Sequence, residues 1–227
     1  MYRLVALVPM RHHSERVPGK NYRPLAGAPL YSYIVRTLLA VPDIELVVVD
    51  TDSPVIQAGL KAHFPQVRVL ERPPHLRDGH IPMNAILVHD AQQVPARFYL
   101  QTHSTNPLLR PETVRRAIAM FFAHYPRHDS LFGVTRWQTR LWDAAGQPIN
   151  HDPQRLLRTQ DLPPVYEENS CLYLFDREGL LARGNRLGRN PLLFEIPRLE
   201  AVDIDEEDDF RLAECLMRMR QADAAAA

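Results

Sequence analysis

Apolar positions recur along this chain in short blocks, each closed by proline, glycine or a polar cluster. Leu4 to Val8 is a run rich in β-branched residues that stops at Pro9, the pattern of a buried strand emptying into a loop. Leu30, Ile34, Val35, Leu38 and Leu39 then repeat at helical spacing behind Pro29, a residue suited to a first turn. Ile44 to Val49 is nearly continuous and ends in Asp50-Thr51-Asp52, as a central parallel strand would. Ser53-Pro54 reads as the cap and first-turn proline of a helix to about His63, and Val67 to Leu70 supplies a third strand. Arg72 to Met83 is polar and proline-broken, hence a loop. Beyond it the pattern predicts a helix from about Asn84 to Gln93, a strand Arg97 to Leu100, a helix Pro111 to about His124 and a strand Leu131 to Val134. Strand and helix alternate from the start, which predicts an α/β fold with a mostly parallel central sheet flanked by helices.

Between Arg136 and Pro164 the pattern weakens. Trp137, Trp142, Gly146 and Pro148 point to strands and turns outside the main sheet. Paired tryptophans in such an excursion suit a subunit interface, and equally suit packing onto the chain's own domain. Asn169 to Phe175 reads as a strand again, followed by a short helix near Glu178 to Ala182 and strands at Leu192 to Ile196 and Ala201 to Ile204. A last helix, Glu206 to Met219, turns Phe210, Ala213, Leu216 and Met217 inward. The division expected is one domain over residues 1–220, with an excursion at about 136–164 and a tail, 221–227, that has nothing to dock and frays.

At 227 residues the chain can bury a sizeable core. Its formal net charge of +0 gives no global field to favour nucleic acid or a membrane surface. No apolar run approaches the roughly 20 residues of a membrane span. The N-terminus enters a strand directly, with no charged-then-apolar leader, so a cytoplasmic protein is expected. Cys171 falls in a predicted strand and Cys215 in a predicted helix, which suggests two buried thiols rather than a disulfide or a metal pair.

Two stretches carry candidate chemistry. The loop after the first strand holds Arg11, Arg16, Lys20 and Arg23, with Ser14, Gly19 and Asn21 between them. Only two lysines exist in the chain, and one of them is here. A cationic loop with a bendable glycine at the carboxyl end of a buried strand is where an open α/β sheet holds a polyphosphate, although a solvated basic loop has the same composition. Near the other end, Asp203 to Asp209 places six carboxylates in seven positions. Acids at the start of a helix are favoured by its free amides, which accounts for Glu206 to Asp209. Asp203 and Asp205 precede the helix and share one face of an extended segment. Two carboxylates aimed into one cleft call for a cation between them, and Mg²⁺ takes one or two carboxylates together with phosphate oxygens.

The sequence Pro9-Met10-Arg11-His12-His13-Ser14-Glu15-Arg16-Val17-Pro18-Gly19-Lys20-Asn21 resembles the N-terminal signature of the acylneuraminate (CMP–sugar-acid) cytidylyltransferase family and its deoxy-octulosonate relatives. His12-His13 stand where that family commonly has two glycines, and Glu15 where it has lysine. Asp203-Ile204-Asp205 through Phe210 is similar to the family's C-terminal D-I-D stretch, Arg72-Pro73 with Leu76 and Asp78 to its R-P segment, Gln101 to Arg110 to its L-Q-P-T-S-P-L-R, and Asn169 to Tyr173 to N-G-A-I-Y, with Ser170 in the glycine's place. The resemblance covers about residues 3 to 217. It implies a Rossmann-like nucleotidyltransferase fold with a small dimerisation excursion, a homodimer, CTP and a sialic-acid-like sugar acid as substrates, and Mg²⁺ as cofactor. Arg11, Ser14, Lys20, Asn21 and Arg72 would bind the nucleotide, and Arg11, Lys20 and Asp205 would be catalytic. Asp203 and Asp205 would hold the metal, while Gln101, Arg158 and Asn169 would meet the sugar, Arg158 at its carboxylate. A glycosyltransferase-like enzyme of the same fold, or a non-catalytic sugar- or nucleotide-binding module, would carry some of the same features.

Overall fold

A computed structural model of the protein describes residues 1–226. Seven strands form one sheet: β1 (Tyr2–Leu7), β4 (Leu46–Thr51), β5 (Arg68–Glu71), β6 (Ala96–Thr102), β7 (Ser130–Trp137), β8 (Val165–Asp176) and β9 (Pro191–Glu195), in the order β5-β4-β1-β6-β8-β7-β9. β8 alone among them runs antiparallel to its neighbours. A two-stranded ribbon, β2 (Pro24–Leu25) with β3 (Ala28–Pro29), follows the basic loop. Six helices complete the chain: α1 (Leu30–Leu39), α2 (Pro54–His63), α3 (Met83–Gln93), α4 (Pro111–His124), α5 (Arg177–Arg183) and α6 (Glu207–Ala226).

The apolar runs become central strands because both faces of the sheet are covered. Along β1, Leu4 and Ala6 pack with α1, α2 and α4 on one face, while Val5 and Leu7 pack with α3 and α5 on the other. From β1 the chain moves outward to β4 and β5, then returns to β6 on β1's other side. The reversal leaves a crevice at the carboxyl ends of β1, β4 and β6, the place where sheets of this kind bind ligands.

A third, smaller core decides the geometry of the site. Val17 from the basic loop, Leu25 from the ribbon, Ile204 from between the two aspartates, and Phe210, Ala213 and Met217 from α6 are all buried together. Arg23 reinforces it with paired 2.7 Å bonds to Glu207, its guanidinium lying 4.1 Å above the Phe210 ring. The two ends of the chain are thereby held side by side.

Several sequence expectations change. Trp137 and Arg136 belong to β7, paired with Val165 and Tyr166 of β8, so the excursion begins after Trp137; what remains of it is loop, with one isolated bridge between Trp142 and Pro148 and a 3-10 turn at Thr159–Asp161. Ala201 to Ile204 is extended but not a strand, since its backbone makes a single lateral bond there, Ile204 to Thr105. α6 runs on through Ala226, because alanine favours helix and Gln221 is bonded to the Ala26 carbonyl, so the tail expected to fray is helical as far as it is described; Ala227 lies outside the described residues. Cys171 is buried as expected, whereas Cys215 is exposed on α6; both are free thiols. No helix among the described residues is long and apolar enough to cross a membrane.

Candidate active site

The crevice is a cleft of about 520 Å³, within the usual range for small-molecule sites. One wall is the basic loop. Gly19 adopts a left-handed backbone (φ 66°), and a Cβ there would come within 2.9 Å of the Tyr22 ring, so this turn requires glycine. The turn leads into a 3-10 segment that tucks Lys20 and Asn21 inward. Asn21 braces the loop from within: its Nδ2 donates to the Arg11 carbonyl at 2.7 Å, and its Oδ1 accepts from the Ser104 hydroxyl at 2.6 Å. The histidines replacing the family's glycines are accommodated because neither takes a positive φ. His12 instead ties the loop to the end of β4, its amide donating to Asp52 (2.7 Å), its ring bonded to Ser53 (2.8 Å) and stacked on Tyr22.

Beside it, in direct contact, runs the acidic segment. Ile204 points down into the third core, so Asp203 and Asp205 both line the cleft, as alternation along an extended backbone requires. Asp209 fixes the turn into α6 by accepting from the amides of Asp205 (3.1 Å) and Glu206 (2.7 Å). Lys20 Nζ donates to the Ile204 carbonyl and lies 3.7 Å from Asp205; Arg16 reaches Asp205 at 2.6 Å. Opposite charges from segments far apart in sequence therefore meet at one side of the crevice.

The electrostatics of this wall are strained in a useful way. Burial pushes the Asp203 carboxyl above the ordinary range, with Asp205 adding to it and a Thr105 hydrogen bond and Lys20 opposing. Its Oδ1 is buried with no hydrogen-bond partner among the described residues. Burial likewise lowers the Lys20 ammonium, against the pull of Asp205 and Asp203. An orphaned carboxylate oxygen beside a second carboxylate fits a hard divalent cation. Among the described residues no group of three or more His, Cys, Asp or Glu forms a ready-made metal cage, so such an ion would take its remaining ligands from substrate and water.

The floor is formed where β5 ends beside β4. Arg72, 1% exposed, lines the cleft as a buried ion pair with Asp50 and not as a free arm. Behind Asp50 sits Asp90, on the inward face of α3 with Ile86, Leu87 and Ala91. Neither Asp90 oxygen nor Asp50 Oδ2 finds another donor among the described residues. Burial, then the charge of Asp50, pushes the Asp90 carboxyl up to about 9, so Asp90 is held as a neutral acid whose proton faces Asp50. The loop carrying Asp78 and Gly79 closes over this floor; a Cβ on Gly79 would stand 2.6 Å from Arg11 Nη1.

Three residues expected to meet the sugar do not line the cleft. Arg158 is 72% exposed on the excursion and paired with Asp161 at 2.7 and 3.0 Å, a surface contact that leaves its fork occupied. Asn169 is buried, donating to Thr135 and accepting from the Cys171 amide; it shapes the backbone so that Ser170, with φ 57°, lines the cleft. Gln101 is fully buried with both ends of its amide used. Its Oε1 accepts from Arg186 Nη1 (2.6 Å), and since arginine only donates, Nε2 must be the donor to His103 Nε2 (3.0 Å). His103 is thus neutral with its proton on Nδ1, in keeping with burial and the nearby Arg186 and Lys20 pushing its pKa down to about 3. Arg11, Ser14, Lys20, Asn21, Arg72, Asp203 and Asp205 are brought together as expected. Asp50, Asp90, His103 and Arg186 were not singled out by the sequence. Of these, Asp90 leaves one trace there, an acid on the apolar stripe of its helix.

The chain is similar to several known proteins. The chain is 28% identical over 237 residues to CMP-N,N'-diacetyllegionaminic acid synthase of Legionella pneumophila, covering 96% of this chain and 98% of that one. It is 27% identical over 217 residues to N-acylneuraminate cytidylyltransferase A of Danio rerio, covering 92% of this chain but spanning only 49% of that longer protein. Among solved structures, CMP:2-keto-3-deoxy-manno-octonic acid synthetase complexed with CTP superimposes with a TM-score of 0.71 at 17% identity, over 96% of this chain and 99% of that one, which shows the shared fold. The cytidylyltransferase family model matches residues 5–207, and the chain therefore belongs to the cytidylyltransferase family.

Proposed function

We propose that the protein activates a 2-keto-3-deoxy sugar acid of the nonulosonate type, transferring CMP from CTP to its anomeric hydroxyl and releasing pyrophosphate. The observation that carries this reading is the approach of Lys20 and Arg16 to Asp205, with Asp203 beside it, at one side of a cleft on the sheet's carboxyl edge. The relatives named above supply the substrate class: one is a legionaminic acid synthase and another an acylneuraminate cytidylyltransferase.

Each wall has its part. Arg11, Arg16 and Lys20 set positive charge against the triphosphate, where the departing pyrophosphate gains negative charge as the α-phosphate bond breaks. Asn21 keeps the loop in register, so these charges need no rearrangement at the moment of reaction. Arg72, locked by Asp50, offers a fixed guanidinium edge to the nucleotide. Asp203 and Asp205 would hold Mg²⁺, whose chemistry is to polarise the α-phosphate and ease deprotonation of the attacking hydroxyl. His103, neutral and donating from Nδ1, can hydrogen-bond an oxygen without adding charge.

A homodimer and a cytoplasmic location belong to the same reading. The first is supported by the exposed apolar side chains of the excursion, Trp142 at 52% and Leu156 at 83%. The second is supported by the exposed free thiol of Cys215. The test is pyrophosphate release from CTP and Mg²⁺ with sialic, legionaminic, pseudaminic and deoxy-octulosonic acids. Release dependent on one of these acids and abolished by a chelator is expected; no release with any of them refutes the reading.

A further inference from the structure

We infer that Asp90 is a positioning residue for the nucleotide: its carboxyl O–H occupies one oxygen of Asp50 and thereby leaves the outer edge of Arg72 free for CTP. The inference rests on the cytidyl-transfer reading above and deepens its account of Arg72.

The backbone of Arg72 is fixed on both sides. Its amide donates to the Thr51 carbonyl at 3.1 Å, and its carbonyl accepts from Arg77 Nε at 2.8 Å. Where the guanidinium points is therefore set by Asp50. That residue shares a face of β4 with Val48, which packs against Leu87 and Ala91 of α3, so its carboxylate lies between Arg72 and Asp90. None of the three side chains is more than 1% exposed.

The pairing within this cluster is lopsided. A carboxylate with both oxygens free takes an arginine side-on, one oxygen at Nε and the other at Nη2. Here Nε donates to Asp50 Oδ1, but Nη2 reaches only the Asp50 backbone carbonyl, at 3.4 Å, and Nη1 has no partner among the described residues. Oδ2 makes no bond to Arg72 and is left, fully enclosed, to Asp90. The Asp90 proton, kept by burial and by the charge of Asp50, has that oxygen as its acceptor. The Nη1–Nη2 edge of a guanidinium that lines the cleft stays open as a result, and that edge can take two oxygens of a ligand.

An ion pair needs no third acid. Arg72 and Asp50 already balance each other's charge, and a second buried carboxyl adds a desolvation cost that their attraction does not offset. What it does to Arg72 accounts for its presence: it keeps Asp50 from closing a side-on fork and drawing Nη2 out of the cleft.

The test compares parent, Asp90→Asn and Asp90→Val by calorimetric CTP binding and by steady-state pyrophosphate release with the accepted sugar acid. Asparagine keeps a donor for Oδ2; valine fills similar space without one. At pH 7, Asp90→Asn should bind CTP as the parent does. Asp90→Val should raise both Kd and KM for CTP about tenfold, the scale of one hydrogen bond to a charged group. Its kcat and its KM for the sugar acid should stay at the parent's values, because Lys20, Asp203 and Asp205 are untouched. Where valine does not fold, Asp90→Ala removes the same donor without adding bulk and should show the same split. An unchanged CTP affinity in the folded valine or alanine variant overturns the assignment while leaving cytidyl transfer intact. So does a fall in kcat that accompanies the rise in KM, or a weakening of CTP binding that asparagine shares. Failure of both valine and alanine variants to fold would make Asp90 a structural residue and overturn the assignment too. A parent that binds no CTP and turns over none of the acids removes the reading and this assignment together.

Discussion

Replacing Asp90 by asparagine takes one ionisable group out of a buried polar cluster and leaves its shape unchanged. In the unfolded chain an aspartate releases its proton near pH 3.9. In the folded protein Asp90, fully buried against Asp50 and Arg72, keeps it up to about pH 9. Between those limits folding takes up a proton, so stability falls as pH rises, by about 1.4 kcal/mol for each pH unit. Asparagine has no proton to lose, and its amide can donate to the orphaned Asp50 Oδ2 in place of the carboxyl O–H. Between about pH 5 and about pH 8 the variant should therefore gain about 4 kcal/mol on the parent, or about 10 °C in melting temperature for a chain of this size. Asp50, whose own titration is coupled to Asp90, receives the asparagine amide where it received the carboxyl O–H. Urea unfolding of parent and variant at four pH values measures this directly. Parallel stability–pH curves would refute the argument, because they would mean that Asp90 carries no proton into the fold.

Other variants probe the remaining parts. Lys20→Ala and Asp205→Asn should each lower turnover more than about a hundredfold with melting little changed, the scale of a lost transition-state charge contact; near-parental pyrophosphate release would remove both from the chemistry. Ser170→Gly relieves a left-handed residue (φ 57°) and should stabilise by about 0.5–1 kcal/mol, the cost of that backbone less the freedom glycine returns to the unfolded chain. A lower melting temperature would show that the serine side chain matters more than its backbone. Phe210→Ala, emptying the third core and removing the surface under Arg23, should cost about 3–5 kcal/mol in denaturant unfolding, and a cost below about 1 kcal/mol would mean the two chain ends are held by other contacts.

The sheet was legible in the sequence because its strands are buried on both faces and its helices on one, and each leaves its own apolar period. Pro111–His124 is found at its expected bounds, since a first-turn proline and a helical apolar stripe agree there. Ala201 to Ile204 misled because an apolar, extended segment looks the same whether or not a partner strand lies beside it. Trp137 misled in the opposite way: β7 and β8 pair far beyond their apolar centres, through Arg136, Glu167 and other polar residues. In the site, Lys20, Asp203 and Asp205 could be read because each sits in a dense local cluster of one charge. Arg186 and Asp90 could not. A guanidinium stacked on Tyr173 and an acid facing Asp50 acquire their character from residues distant in sequence, and no local pattern records those encounters.

The third core has a further consequence for how the protein folds. Most of the described sequence separates Val17 and Leu25 from Ile204, Phe210 and Met217. Val17 of the basic loop is buried only when those distant residues reach it. Joining the charged loop to the acidic segment is therefore a contact of high sequence separation, the kind that slows folding.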